Sequence, residues 1–105
     1  MTTLYMVNVT EHEFEEGWGA SARPDGKAFC EDEEVLVKSF TERRVRMQEA
    51  DTYSYQLYET ISSPKLVKVS DDCKRFLDFK TKGKDDKILW LRCESLKEFM
   101  EGVEF

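Results

Sequence analysis

The chain has one histidine, two prolines and five glycines in 105 residues, and it has no long apolar run. Each shortage excludes something. The single histidine, His12, lies among Glu11, Glu13 and Glu15. It reads as a surface residue rather than as half of a nucleophile–histidine pair. The longest apolar stretches, Val35-Leu36-Val37 and Ile88-Leu89-Trp90-Leu91, are far too short to span a bilayer as helices. Met1-Thr2-Thr3-Leu4 carries no basic region and no extended apolar segment, so no signal peptide is visible. The three cysteines, Cys30, Cys73 and Cys93, are odd in number and lack CxxC spacing. They read as free, mostly buried thiols in a reducing cytoplasm, not as disulfides or zinc ligands. No metal and no cofactor is expected.

A glycine-rich phosphate-binding loop is missing too. Gly17-Trp18-Gly19 has no third glycine at the right interval and no Gly-Lys-Ser/Thr after it. The chain holds twenty-two acidic residues, so some close carboxylate pairs arise by chance and counting supports no acid–base pair. No catalytic residue is assigned, and a non-enzymatic protein is expected.

What is present is negative charge. The formal net charge is −6, with carboxylates concentrated at Glu11, Glu13, Glu15 and Glu16 and again at Glu31-Asp32-Glu33-Glu34. Such a field disfavours direct binding to nucleic acid, which needs a basic face. It suits a basic partner, or a nucleic-acid mimic, and it also serves solubility.

At 105 residues the chain makes one globular domain with one modest core. Leu4–Val9 is apolar on both faces and reads as a buried inner strand. An acidic segment follows to Glu16, anchored by Phe14, and Lys27–Cys30 makes a short strand returning on the first. The spacing of Leu36, Phe40 and Met47, with Val37 beside them, predicts a helix over 31–50. Arg43, Arg44 and Arg46 near its end complement the macrodipole. Period-two alternation predicts a strand over 52–61, a turn at Ser62-Ser63-Pro64, and a hairpin partner over 65–69. Ser70 reads as the cap of a helix carrying Cys73, Phe76 and Leu77 on one face and ending near Gly83. Residues 87–93 read as a central strand, and Ser95 caps a last helix that packs Leu96, Phe99, Met100 and Val103 inward. The sum is an α+β fold: a mixed, mainly antiparallel sheet of about five strands with helices packed on one face.

Residues 16–27, Glu-Gly-Trp-Gly-Ala-Ser-Ala-Arg-Pro-Asp-Gly-Lys, hold three of the five glycines and one of the two tryptophans. They read as a shaped loop built from a Gly-Trp-Gly bend and a Pro-Asp-Gly turn. Trp18 is either a lid on the core or an exposed platform. Arg23, held extended by Pro24, either projects as a fork for an anion or pairs with Asp25 or the acidic segment. Trp18, Arg23, Asp25 and Lys27 form the candidate ligand-binding set, and Glu13, Glu15, Glu16 and Tyr58 a candidate interface.

The Glu-Gly-Trp-Gly and Arg-Pro-Asp-Gly strings resemble small bacteriophage-encoded proteins in which the two halves run almost together; here Ala20-Ser21-Ala22 separates them. The resemblance implies a phage accessory protein that acts by binding, against host defence, in the host cytoplasm. Two functions follow as expectations. One is sequestration of a small anionic ligand such as a nucleotide signal, with Trp18 stacking and Arg23 and Lys27 neutralising phosphate. The other is inhibition of a host enzyme through the acidic patches. Aromatic residues in excess of what a small core can bury make a homo-oligomer possible.

Overall fold

The computed structural model describes residues 1–41, 46–50 and 53–105, with the side chains of 1–41 and 55–105. The elements are β1 (Thr2–Glu15), β2 (Gly19–Cys30), α1 (Glu33–Thr41), β3 (Arg46–Ala50), β4 (Tyr53–Ile61), β5 (Lys65–Val69), α2 (Asp71–Lys80), β6 (Leu89–Leu91), α3 (Cys93–Met100) and β7 (Val103–Glu104). The fold is α+β, and every described strand pairing is antiparallel.

The spine is β1. It pairs with β2 along one side and with β4 and then β5 along the other, within the order β3-β4-β1-β2-β6. Side chains alternate across a strand, so β1 sorts the core into two layers. Leu4 and Met6 face Phe29, Val67 and Val69 under α2 and α3, which contribute Cys73, Leu77 and Phe99. Val7 and Val9 face Ala28 and Cys30 under α1, which contributes Leu36 and Phe40. The helices therefore divide between the two faces instead of sharing one. Residues 4–9 are apolar on both sides, and each side needs its own cover.

Several elements differ from expectation. The helix predicted over 31–50 ends at Thr41; Arg46 and Met47 lie on β3, opposite Leu57 and Gln56 of β4. Backbone pairing with a neighbouring strand outweighs the helix preference of Arg-Met-Gln-Glu-Ala. Arg43 and Arg44 lie outside the described residues. Strands β4 and β5 do not pair with each other as a hairpin. Both pair with β1, from Val9↔Ile61 to Glu15↔Tyr55 and from Thr2↔Val69 to Met6↔Lys65. Residues 62–64 are a step in one long edge, where Pro64 has no N–H to give to the ladder. Ser62 keeps the step attached: its N–H donates to the Asn8 carbonyl at 3.0 Å, and its Oγ accepts from the Asn8 N–H at 2.8 Å.

Residues 89–91 form an edge strand, not a central one, because among the described residues β6 pairs with β2 alone. Its leucines are covered by helices rather than by further strands. Helix α3 starts at Cys93 with Arg92 as its capping residue, so Ser95 lies in the first turn and is not the cap. Phe99 is buried, and Leu96, Met100 and Val103 pack beside it as expected. Helix α2 follows its sequence closely: the Ser70 hydroxyl accepts from the Cys73 N–H at 3.2 Å, and Cys73 and Leu77 are buried. Cys30 and Cys73 are buried and Cys93 is exposed, all three as free thiols. No helix among the described residues is long and apolar enough to cross a membrane.

Candidate functional site

The segment expected as a loop over 16–27 is mostly strand. Glu11, Glu13 and Glu15 alternate along β1, and β2 answers them with Arg23, Ser21 and Gly19. Only 16–18 turn the chain. The Trp18 N–H donates to the Glu15 carbonyl at 3.0 Å, and Gly17 (φ 88°) and Gly19 (φ 94°) take positive φ on either side of the tryptophan. That region is strained for residues with a Cβ, so the glycines permit the reversal. Trp18 is 85% exposed at the apex, which overturns the reading of a lid on the core. Phe14, expected as the anchor of the acidic segment, is 37% exposed and belongs to neither core cluster.

The Pro-Asp-Gly turn is a β-bulge. Asn8 pairs with Lys27 and Thr10 with Pro24, so Asp25 and Gly26 together oppose Val9. Gly26 has φ 94°, and a Cβ built on it would collide with the carbonyl oxygen of Leu91. Asp25 latches this corner. Its carbonyl accepts from Trp90 Nε1 at 3.0 Å, and its carboxylate lies 3.3 Å from the Arg92 guanidinium, which sits over the Trp90 ring.

Beyond the bulge, β1, β2, β4 and β3 continue as a four-stranded arm, and the molecule measures 53 × 25 × 22 Å. None of residues 10–24 or 55–61 is buried. One face of the arm carries Glu11, Glu13 and Glu15 beside Tyr55, Leu57 and Glu59. The Tyr55 phenol is pushed above its ordinary value, first by partial burial and then by Glu13, Glu11 and Glu15, with Glu13 also as its hydrogen-bond partner. Arg23 Nε donates to Glu11 at 2.9 Å and its Nη2 bonds the same oxygen; that bond, first of all, raises the guanidinium's pKa. Of the two roles open to Arg23, the structure shows the ion pair with the acidic segment. The other face carries His12 stacked on Tyr58, with ring centroids 4.8 Å apart and planes 5° apart, and His12 Nε2 lies 2.7 Å from Thr60 Oγ1.

The ligand-binding set is thus spread out. Trp18 is at the tip, Arg23 is paired with Glu11, Asp25 is in the bulge, and Lys27 bonds the Asn8 side chain. Trp18 and Lys27 lie roughly 25–30 Å apart along β2 at the usual rise per residue. Neither the cavity between α2, β6 and α3 nor the one beside Cys30 and Lys74 includes any of the four. The interface set is divided as well, with Glu13 and Glu15 on one face, Tyr58 on the other and Glu16 at the turn. The second acidic patch works locally: Asp32 Oδ1 accepts from the Val35 N–H at 3.1 Å at the start of α1, and Glu31 pairs with Lys74 at 2.6 Å. Among the described residues, no group of three His, Cys, Asp or Glu side chains is placed to hold a metal ion. Compared with protein-family models, curated proteins and solved structures, the chain matches none.

Proposed function

We propose that this chain is a non-enzymatic binding protein that engages a partner protein through its hairpin arm. The observation that carries the reading is Trp18, 85% exposed at the apex of a strand pair that buries no side chain of its own over 10–24. A folded chain has no internal use for a tryptophan held there, whereas buried tryptophans dominate interface energetics. The carboxylates of Glu13 and Glu15 on one face, Glu11 beside them being paired with Arg23, define the rest of the partner: a basic surface with an apolar recess at its end. This favours the inhibitor of a host enzyme over the nucleotide trap, because Trp18, Arg23 and Lys27 are too far apart for one nucleotide. The bacteriophage resemblance supplies the setting, a counter-defence protein acting in the host cytoplasm.

Immobilised protein and its Trp18→Ala variant, exposed to bacterial host lysate, test the proposal. The wild type is expected to capture a basic protein, and Trp18→Ala to weaken that complex by about 2 kcal/mol or more, roughly thirtyfold. Joint neutralisation of Glu13, Glu15 and Glu16 to Gln is expected to remove the steep salt dependence. Capture that is indifferent to Trp18, or a nucleotide released from the purified protein by heat, would refute it.

A further inference from the structure

Strands β2 and β4 flank β1 from Thr10 to Glu15, and the two faces of this arm differ in charge. Residues directly opposite in an antiparallel pair point to the same side of the sheet. On one side Glu11, Glu13 and Glu15 sit with Arg23 and Glu59. On the other, Phe14 stands between Ala20 and Gln56, and His12 between Ala22 and Tyr58. The row at Thr10 adds Pro24 and Thr60, so these three strands place no Asp, Glu, Lys or Arg on the second face there. His12 makes its polar contact within the face, to Thr60 at 2.7 Å, and its ring lies on Tyr58.

This uncharged face is a shelf. Leu4 and Met6, on the same side of β1 nearer its start, are covered by α2 and α3. That cover stops short of the arm, since none of residues 10–24 is buried. A helical layer is about 10 Å thick, which is also the spacing of two stacked sheets. The arm of a second copy therefore has the right thickness to lie on the shelf beside α2 and α3. Each copy carries its helices on this side, so the two arms must run in opposite directions. Parallel arms would drive one helical layer into the other.

Charge and area select the same occupant. The net charge is −6, and stacking the uncharged faces turns both carboxylate faces outward, where they repel least. Four strands about 4.8 Å apart and six residues at about 3.3 Å each give about 400 Å² of plan per copy. With side-chain relief, two copies together bury about 1,000 Å², the lower bound for a specific interface.

We propose that this chain forms a two-fold dimer in which the uncharged arm faces stack and the arms run antiparallel. An axis across the middle row brings Ala22 close to the partner's Ala22. Phe14 and Tyr58 are covered, and Glu13 and Glu15 stay outward on both copies. The dimer does not depend on capture of a partner protein through Trp18.

Sedimentation equilibrium of the purified chain from about 1 to 500 µM is the first measurement. The mass is expected to rise from 12.4 kDa toward twice that value. Ala22→Arg, at an exposed position where the charge meets its own copy across the axis, should raise the dissociation constant about tenfold or more. Ser21→Arg, its neighbour on the carboxylate face, should leave it unchanged. In a Cys93→Ser background, which removes the exposed thiol, a short bismaleimide should crosslink Ala22→Cys and not Ser21→Cys. The crosslinking pair keeps the test if Ala22→Arg does not fold. A monomer at every concentration, a dimer indifferent to Ala22→Arg, or equal crosslinking from positions 21 and 22 overturns the proposal. Failure of Trp18 to matter for partner capture alters none of these outcomes.

Discussion

Gly26→Ala offers the sharpest test of how the arm joins the body, because two other glycines act as controls. Gly17, Gly19 and Gly26 all have φ near +90°, but an added Cβ meets open space at the first two and the Leu91 carbonyl oxygen at the third. The left-handed backbone costs an alanine about 1–2 kcal/mol. The reduced freedom of the unfolded chain offsets about half a kcal/mol of that. Gly17→Ala and Gly19→Ala should therefore each lose about 1 kcal/mol. At Gly26 the contact is with backbone, and its cheapest relief parts β2 from β6. That sacrifices the pairing around Lys27↔Leu91 and Ala28↔Trp90 and the bond from Trp90 to the Asp25 carbonyl. At about 1 kcal/mol per bond, the total loss comes to about 3–4 kcal/mol, a large part of a small domain's stability. In urea denaturation the midpoint should fall by about 2 M for Gly26→Ala and by less than about 1 M for the controls. Equal losses at all three positions would show that β2 and β6 do not meet at the bulge as described.

Two further predictions concern titratable groups. Cys93 is exposed, Cys73 is buried, and burial raises the Cys30 thiol above its ordinary value. Because the thiolate is the reactive form, a thiol reagent should modify one cysteine promptly and the other two only on unfolding; prompt reaction of two or more contradicts the packing. The Tyr55 phenol is raised above 10.0, chiefly by partial burial and then by Glu13, Glu11 and Glu15. A raised value favours the neutral form in the fold, so its stabilising effect is complete below the unfolded value and is lost as pH climbs through the folded one. Ultraviolet titration of the folded chain should show a late-ionising tyrosine that disappears in Tyr55→Phe, and a late component that survives the substitution would exclude the arrangement with Glu13.

Local patterns carried much of the fold. Helix α2 was readable because its cap, its acidic first turn and the spacing of Cys73 and Leu77 are interactions within one short segment. Strand β5 was readable for the same kind of reason, and so was the buried face of α1. The arm was harder to read. Glu11, Glu13 and Glu15 alternate with His12 and Phe14, a period-two signal, but neither face is apolar and the pattern resembles solvated chain. Gly19 and Pro24 carry the composition of turns, and only their pairing with β1 makes them strand, while Gly26 sits in the bulge between paired positions.

The sequence by itself determined an α+β domain, a dominant negative charge, three free thiols and an unusual composition at 16–27. Those properties depend on counts and on neighbours a few residues away. Tertiary structure decided that this stretch is a hairpin with a bulge, that Trp18 stands in solvent, and that Arg23 meets Glu11. Each of those outcomes depends on which distant backbone supplies hydrogen-bond partners, and no local pattern encodes that choice.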